Sequence, residues 1–164
     1  MKQEYKEKIE EAKKLLVWNT NLPSDELDAN VDKGCDLLDE LVTIKDVDVL
    51  TELLEFFTDA NEDYGGVCET LMNDIWNNYT ADQIIEAISV KFDYLIKNDL
   101  SRFACLCNIL FNQEDFVKFR KMFNKIKSNN SDKFLDELSK WIDSDYEVGL
   151  EGIALLREDV RKWK

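Results

Sequence analysis

Apolar residues recur at spacings of three and four along almost the whole chain, and this periodicity restricts the fold more than any other feature. Such spacing places apolar side chains on one face of an α-helix, whereas a half-buried strand needs strict alternation. Strand-like alternation and hairpin turn pairs are missing from a sequence that holds a single proline, Pro23. The pattern therefore predicts an all-α protein.

Capping residues and breaks divide the chain into about nine predicted helices. Asp46 opens the third helix, Thr80 and Gln83 form a capping-box pattern before the fifth, and Asn112 caps the seventh. The predicted ranges are about 3–18, 25–43, 46–57, 67–79, 80–96, 100–111, 112–127, 132–143 and 147–163.

The connections between these helices are short, so neighbouring helices must run antiparallel. Pairs of helices recur about every 35 to 40 residues, a period near that of helical-repeat solenoids. We therefore expect a single all-helical domain over residues 1–164, built from antiparallel hairpins as a short, degenerate α-solenoid. A closed helical bundle is the alternative architecture.

The chain contains no histidine, which removes Ser-His-Asp and Cys-His catalysis and every zinc site that needs an imidazole. Its four cysteines, Cys35, Cys68, Cys105 and Cys107, form no CxxC pair, so we expect buried free thiols. The sequence also has no Walker loop and no GxGxxG motif, and no carboxylate pair stands out. We expect neither an enzyme nor a bound metal or cofactor.

Thirty-five acidic and twenty-one basic residues give a net charge of −14, and most of the imbalance lies in residues 21–63. This charge opposes association with nucleic acid and with anionic lipid. No apolar run is long enough to span a membrane, and the N-terminus reads as a charged helix and not as a signal sequence. We expect a cytoplasmic protein that binds neither nucleic acid nor membrane.

Aspartates follow a three-and-four spacing along the second predicted helix, so they form one stripe opposite its apolar residues. Like charges four residues apart cost a few tenths of a kcal/mol, and aspartate is a poor residue for a helix interior. One interpretation is a solvated face that aids solubility. The other is a docking surface for a basic protein. The stripe consists of Asp25, Asp28, Asp32, Asp36 and Asp39.

The loop at 58–66 is also acidic. Asp59, Asn61 and Asp63 match the first three ligand positions of an EF-hand, but Tyr64 stands where glycine is needed. Thr70 also replaces the bidentate glutamate, so we expect no calcium site. We interpret the loop as an acidic hairpin tip whose exposed tyrosine anchors an interface. Its candidate contact residues are Asp59, Glu62, Asp63 and Tyr64.

Two further sets of residues receive structural interpretations. The basic residues of the seventh predicted helix surround its phenylalanines, and we expect most of them to be solvated. The four tryptophans fall near inner faces or ends of helices, and we expect them in the core. The basic set is Lys118, Arg120, Lys121, Lys125 and Lys127, and the tryptophans are Trp18, Trp76, Trp141 and Trp163.

The segment from Val49 to about Tyr146 resembles a known family. Leu-Leu-Glu-Phe-Phe-Thr-Asp at 53–59, the acidic residues through Asp63, and a following helix with Leu71 and Trp76 are similar to the HEAT-like helical immunity proteins of bacterial polymorphic-toxin and contact-dependent growth inhibition systems. The resemblance covers about 60% of the chain. It implies a HEAT-like solenoid and an antidote that binds the toxic C-terminal domain of a cognate toxin.

The resemblance also implies a basic partner, because many such toxins are nucleases and nuclease clefts are basic. An acidic surface competes with nucleic acid for such a cleft and accelerates association. We expect the loop tip to form the contact centre and Asp28, Asp32, Asp36 and Asp39 to form a steering rim. The alternative function is a helical-repeat adaptor that binds another protein or a peptide. In either case we expect a monomer or a weak homodimer.

Overall fold

The computed structural model describes residues 1–16, 22–58, 67–142 and 145–163, and all regular structure within these ranges is helical. The predicted all-α class is confirmed. The α-helices of the described residues are α1 Gln3–Leu15, α2 Ser24–Val42, α3 Val47–Leu53, α4 Val67–Asn78, α5 Ala81–Asn98, α6 Leu100–Cys107, α7 Gln113–Ile126, α8 Ser131–Leu138 and α9 Gly149–Trp163. Short 3-10 turns, Leu54–Phe56 and Asn108–Leu110, extend α3 and α6.

The contacts of the chain group into two compact units, Met1–Thr80 and Ala81–Lys164. The sequence of the first unit holds twenty acidic and seven basic residues, a net charge of −13. The second unit holds fifteen acidic and fourteen basic residues, a net charge of −1. Nearly all of the excess negative charge therefore belongs to the first unit. Because the contacts divide into two units, the single domain expected over residues 1–164 stays a prediction.

In the first unit, α1 packs closely against α2 at Gly34. A Cβ added to Gly34 would lie 2.6 Å from Cγ of Leu16, whose side chain is buried. Glycine in a helix interior costs about 1 kcal/mol relative to alanine. The close approach of Leu16 explains why the helix carries glycine here.

The second unit packs helices that alternate along the chain. Helices α5, α7 and α9 contact one another in that order, and α6 contacts α8. Edge-to-face phenylalanines fill the space between them, with Phe92 and Phe103 at 5.3 Å and Phe92 and Phe134 at 5.1 Å between ring centroids. Contact between alternate helices is the pattern that stacked hairpins produce. The HEAT-like solenoid over the whole chain stays a prediction.

Several details of the helices differ from the sequence-based expectation. Helix α8 ends at Leu138, so Trp141 lies beyond it and is 39% exposed, whereas we expected Trp141 in the core. The apolar periodicity of the ninth predicted helix places Leu150 on its inner face, but Leu150 lies in the first turn of α9 and is 59% exposed. Trp18 lies outside the described residues. Among the described helices, none has the length and apolar character needed to cross a bilayer.

Thiols were predicted for all four cysteines, and none of the four forms a disulfide. Cys68 and Cys107 are buried, as expected. Cys35 and Cys105 are only half-buried, which corrects the prediction of burial. Cys35 follows Gly34 on α2 and therefore lies toward the side of the helix, between its buried face and its acidic face.

Candidate protein-binding surface

The predicted aspartate stripe lies on the exposed side of α2. This helix begins at Ser24, directly after Pro23, and its opposite side is buried at Leu38, Leu41 and Val42. Spacings of four, four and three residues keep the aspartate side chains on one face of the helix. The structure therefore brings together the four predicted steering residues, all of them exposed: Asp28, Asp32, Asp36 and Asp39. We call this set the α2 acidic face.

Basic side chains near this helix pair with other acids. Lys33 turns toward α1 and lies 2.5 Å from Oε1 of Glu11, and Lys8 pairs with Glu40. Lys13 lies 2.7 Å from Oε2 of Glu55. Within the described ranges, no lysine or arginine lies within 4.0 Å of a carboxylate of the α2 acidic face. The negative charge of this face is therefore not compensated locally.

The acidic surface continues onto α4, which packs against α2. The side chains of Asp39 and Asp74 are in hydrogen-bonding contact. Partial burial of Asp74 raises its pKa, and the charge of Asp39 and the hydrogen bond between the two raise it further. The two carboxyl groups are therefore close enough to interact. Sequence reasoning missed Asp74, because only the pairing of α2 with α4 brings it to this surface.

Cys35 lies among the aspartates of α2. Burial raises the pKa of its thiol, and the charges of Asp39, Asp32 and Asp36 raise it further. The thiolate is the nucleophilic form of cysteine. The surroundings of Cys35 therefore keep the thiol protonated and weakly reactive.

The other predicted contact residues, Asp59, Glu62, Asp63 and Tyr64, lie outside the described residues, as does Asn61 of the EF-hand pattern. Their role at the contact centre stays a prediction. Within the part of the chain that the structure describes, there is no group of three or more Cys, Asp or Glu residues that could hold a metal ion.

The basic residues of α7 divide into two groups. Lys118 lies 3.0 Å from Oδ1 of Asp82, and Arg120 forms a close ion pair with Asp159, so neither is simply solvated. Lys121, Lys125 and Lys127 are exposed, so most of the set is solvated, as predicted. Helix α7 thus uses two of its cations inside the second unit and presents the others to solvent.

Comparison with protein-family models, with curated proteins and with solved structures gave no match for this chain. Geometry and charge are therefore the basis on which a function can be assigned.

Proposed function

We propose that this chain is a non-enzymatic protein that binds a positively charged protein through the α2 acidic face. The observation that carries the proposal is a row of four exposed aspartates on one helix, none with a cationic partner among the described residues. A helix selected only for stability would carry glutamate with lysine partners at these positions. Aspartates that repel one another along one face are what we expect of a surface that attracts a positively charged protein.

The electrostatics of protein association support the α2 acidic face as a binding surface. The first unit carries a net charge of −13, and charges of one sign on one face attract a basic partner over distances of about 10 Å at 0.1 M salt. Such steering raises association rate constants well above the roughly 10⁵ to 10⁶ M⁻¹s⁻¹ of a neutral encounter. The same field competes directly with nucleic acid for a basic cleft.

The specific form of the proposal is an immunity protein. Its partner is the toxic C-terminal domain of a cognate bacterial toxin, with a nuclease as the expected class, and the place of action is the cytoplasm. The resemblance of residues 49–146 to HEAT-like immunity proteins motivates this choice. The acidic tip at Asp59, Glu62, Asp63 and Tyr64 supplies the proposed contact centre, and the α2 acidic face supplies the steering rim.

The test is a titration of the chain with the C-terminal domain of any large protein encoded immediately upstream. We expect nanomolar affinity and an association rate constant that falls steeply between about 0.05 and 0.5 M salt. The key variant carries Asp28→Asn, Asp32→Asn, Asp36→Asn and Asp39→Asn, which we call the four-asparagine variant. Its association should be slower by about tenfold or more.

A matched control removes four carboxylates elsewhere, by Glu4→Gln, Glu7→Gln, Glu114→Gln and Glu151→Gln, all at exposed positions. Both variants have the same net charge. A much smaller effect in the control supports the α2 acidic face as the binding surface. Equal slowing of both variants would show that only total charge matters, and salt-independent association would end the electrostatic proposal.

A second function, a helical adaptor for a peptide, is favoured by a groove on the second unit that is described below. The two functions use different surfaces and therefore respond to different substitutions. An adaptor does not need a toxin domain as its partner. Loss of toxin-domain binding in the four-asparagine variant with no change in peptide binding would separate them.

A further inference from the structure

A groove of about 790 Å³ lies between α5 and α7. Its floor is apolar, with Ile85 and Met122 each 8% exposed and Ile126 half-buried. Methionine adapts its shape readily, which suits a surface that receives apolar side chains. The floor thus offers apolar contact area inside the unit of the chain that is nearly neutral.

Polar contacts flank the groove along α5. At one end, Nζ of Lys118 lies 3.0 Å from Oδ1 of Asp82. At the other end, the Ser128 hydroxyl donates to Asp93, and Nδ2 of Asn130 donates to the same carboxylate at 3.2 Å. The α5 residues that line the groove run from Asp82 to Ser89, a rise of about 10 Å or two helical turns. The groove is therefore long enough to receive about two turns of a helix.

The two rims of the groove carry opposite charges. Glu86 lies on the α5 rim, and Lys121 and Lys125 lie on the α7 rim. All three are exposed, and none has an ion-pair partner in the described portion of the chain. The lysines are four residues apart, which places their side chains about 5 to 6 Å apart along one edge. The groove thus has charges of opposite sign on its two rims, without ion-pair partners among the described residues, beside an apolar floor.

We propose that this groove binds an amphipathic helix of a partner protein. Such a helix lays residues spaced i, i+3 or i+4, and i+7 on the apolar floor. One of its edges carries acidic residues toward Lys121 and Lys125, and its other edge carries a basic residue toward Glu86. The i,i+4 spacing of the lysines matches the spacing of acidic residues along a helix that lies beside α7.

This inference does not depend on the α2 acidic face. The groove belongs to the second unit, whereas the proposed toxin-binding surface belongs to the first. The partner of the groove needs an apolar stripe and mixed charge, not a net positive charge. The two proposals can therefore fail separately.

The probes are two helical peptides of about 14 residues with identical composition and zero net charge. Both carry the same apolar stripe. The segregated peptide has its acids on one edge and its bases on the other, and the interleaved peptide mixes acids and bases on each edge. Zero net charge prevents either peptide from being drawn to the acidic first unit. Calorimetry measures the dissociation constant of each peptide for the full chain.

Two tryptophan substitutions test the location. Ser89 lines the groove and is exposed, so Ser89→Trp fills it without disturbing the core. Val90 is the next residue on α5, is 67% exposed, and does not line the groove, so Val90→Trp is the matched control. We expect Ser89→Trp to weaken the segregated peptide by about tenfold or more and Val90→Trp to change it by less than about twofold.

A charge reversal tests the rims. We expect the wild type to prefer the segregated peptide by about fivefold, the equivalent of three surface ion pairs. The double variant Lys121→Glu and Lys125→Glu should lose that preference, because both rims are then acidic. The four-asparagine variant should bind the segregated peptide like the wild type.

The proposal is overturned by any of the opposite results. These are no binding of either peptide below about 1 mM, equal losses in the two tryptophan variants, a preference that survives the charge reversal, and loss of peptide binding in the four-asparagine variant. Sedimentation of the chain alone, which measures self-association, provides one further test. If the chain associates with itself and Ser89→Trp abolishes that association, the occupant is a second copy of the chain and not a separate partner.

Discussion

The Asp159 carboxylate on α9 accepts two hydrogen bonds from the Arg120 guanidinium on α7, from Nε at 2.6 Å and from Nη2 at 2.7 Å. Nδ2 of Asn124 donates to the same carboxylate at 2.7 Å, and Nε1 of Trp163 donates to Oδ1 of Asn124 at 3.0 Å. Asp159 is buried. This network ties the two helices together and satisfies a carboxylate that would otherwise be costly to bury.

The first prediction concerns Arg120→Met, which leaves a buried carboxylate without its cation. Removal of one partner of a buried ion pair costs about 3 kcal/mol, and we expect that decrease in the free energy of unfolding by urea denaturation. The double variant Arg120→Met and Asp159→Leu is the control, because two apolar residues of similar size leave no unpaired charge. Equal stability of the single and double variants would contradict the assigned role of the pair.

The second prediction concerns the pH dependence of that effect. The hydrogen bonds from Arg120 hold the pKa of Asp159 below its ordinary value, against the opposing effect of burial. The pair therefore stabilises the fold fully above the unfolded pKa of about 3.9 and loses its contribution as the pH falls through the lower folded pKa. The stability difference between the wild type and Arg120→Met should be largest near neutral pH and should shrink as the pH falls through the pKa of the unpaired Asp159 carboxyl in the variant, which burial raises. A difference that stays constant at about pH 3 would show that Asp159 does not carry the effect.

The third prediction concerns Gly34→Ala. Alanine gains about 1 kcal/mol in helix propensity, but its Cβ would lie 2.6 Å from Cγ and 2.7 Å from Cδ2 of buried Leu16. Overpacking of this kind costs about 1 to 3 kcal/mol, so we expect a net decrease in stability of about 1 kcal/mol by urea denaturation.

The control for Gly34→Ala is the reverse exchange, Ala29→Gly, at an exposed site on the same helix. No packing changes there, so its expected loss of about 1 kcal/mol measures the helix-propensity difference alone. Subtracting that difference from the result for Gly34→Ala isolates the cost of the contact with Leu16. Stabilisation by Gly34→Ala would show that Leu16 has room to move away.

Local sequence signals predicted the parts of the fold that depend on neighbours along the chain. Asp46 accepts from the amides of Asp48 and Val49 at the start of α3, and Asn112 accepts from the amide of Asp115 at the start of α7. Both positions were predicted to begin helices from their side-chain chemistry. The aspartate stripe was predicted for the same reason, since helical periodicity alone places those residues together.

Features that depend on helix pairing were not predictable. Nothing in the spacing of Asp39 and Asp74 along the sequence shows that α2 and α4 bring them into contact. The groove likewise needs α5 beside α7, and the sequence pattern did not predict the change from α-helix to 3-10 turn at Asn108–Leu110. Leu150 shows the same limit, because in the first turn of α9 it is Gly149, and not Leu150, that is buried.

The fourth prediction concerns Tyr79, whose buried hydroxyl has no hydrogen-bond partner within the described residues. Burial, and then the charge of Asp46, raises the pKa of Tyr79 to about 12. Tyr79→Phe removes an unsatisfied polar group and should raise stability at neutral pH by about 1 kcal/mol. A decrease in stability would reveal a hydrogen-bond partner of the hydroxyl.

The same tyrosine gives the wild type a particular response to alkali. The unfolded chain releases the phenolic proton near pH 10, whereas the folded chain holds it to about 12, so unfolding becomes easier as the pH rises between these values. Urea denaturation of the wild type and of Tyr79→Phe at about pH 7 and pH 11 should show a larger difference at the higher pH. An unchanged difference would show that the phenol ionises normally.

The fifth prediction separates stability from binding at the α2 acidic face. The four aspartates repel one another, so the four-asparagine variant should be more stable than the wild type by about 0.5 to 1 kcal/mol at low salt. Since screening shortens to about 3 Å at 1 M salt, that gain should largely disappear there. The glutamine control variant, whose substituted positions lie outside α2, should show a smaller gain. Urea denaturation at about 0.05 M and 1 M salt measures the stability gain of each variant.

If the four-asparagine variant is more stable and yet associates more slowly with a basic domain, then the substitutions have weakened the electrostatic attraction and have not unfolded the protein. Lower stability of the four-asparagine variant would instead mean that the aspartates have stabilising contacts within the chain.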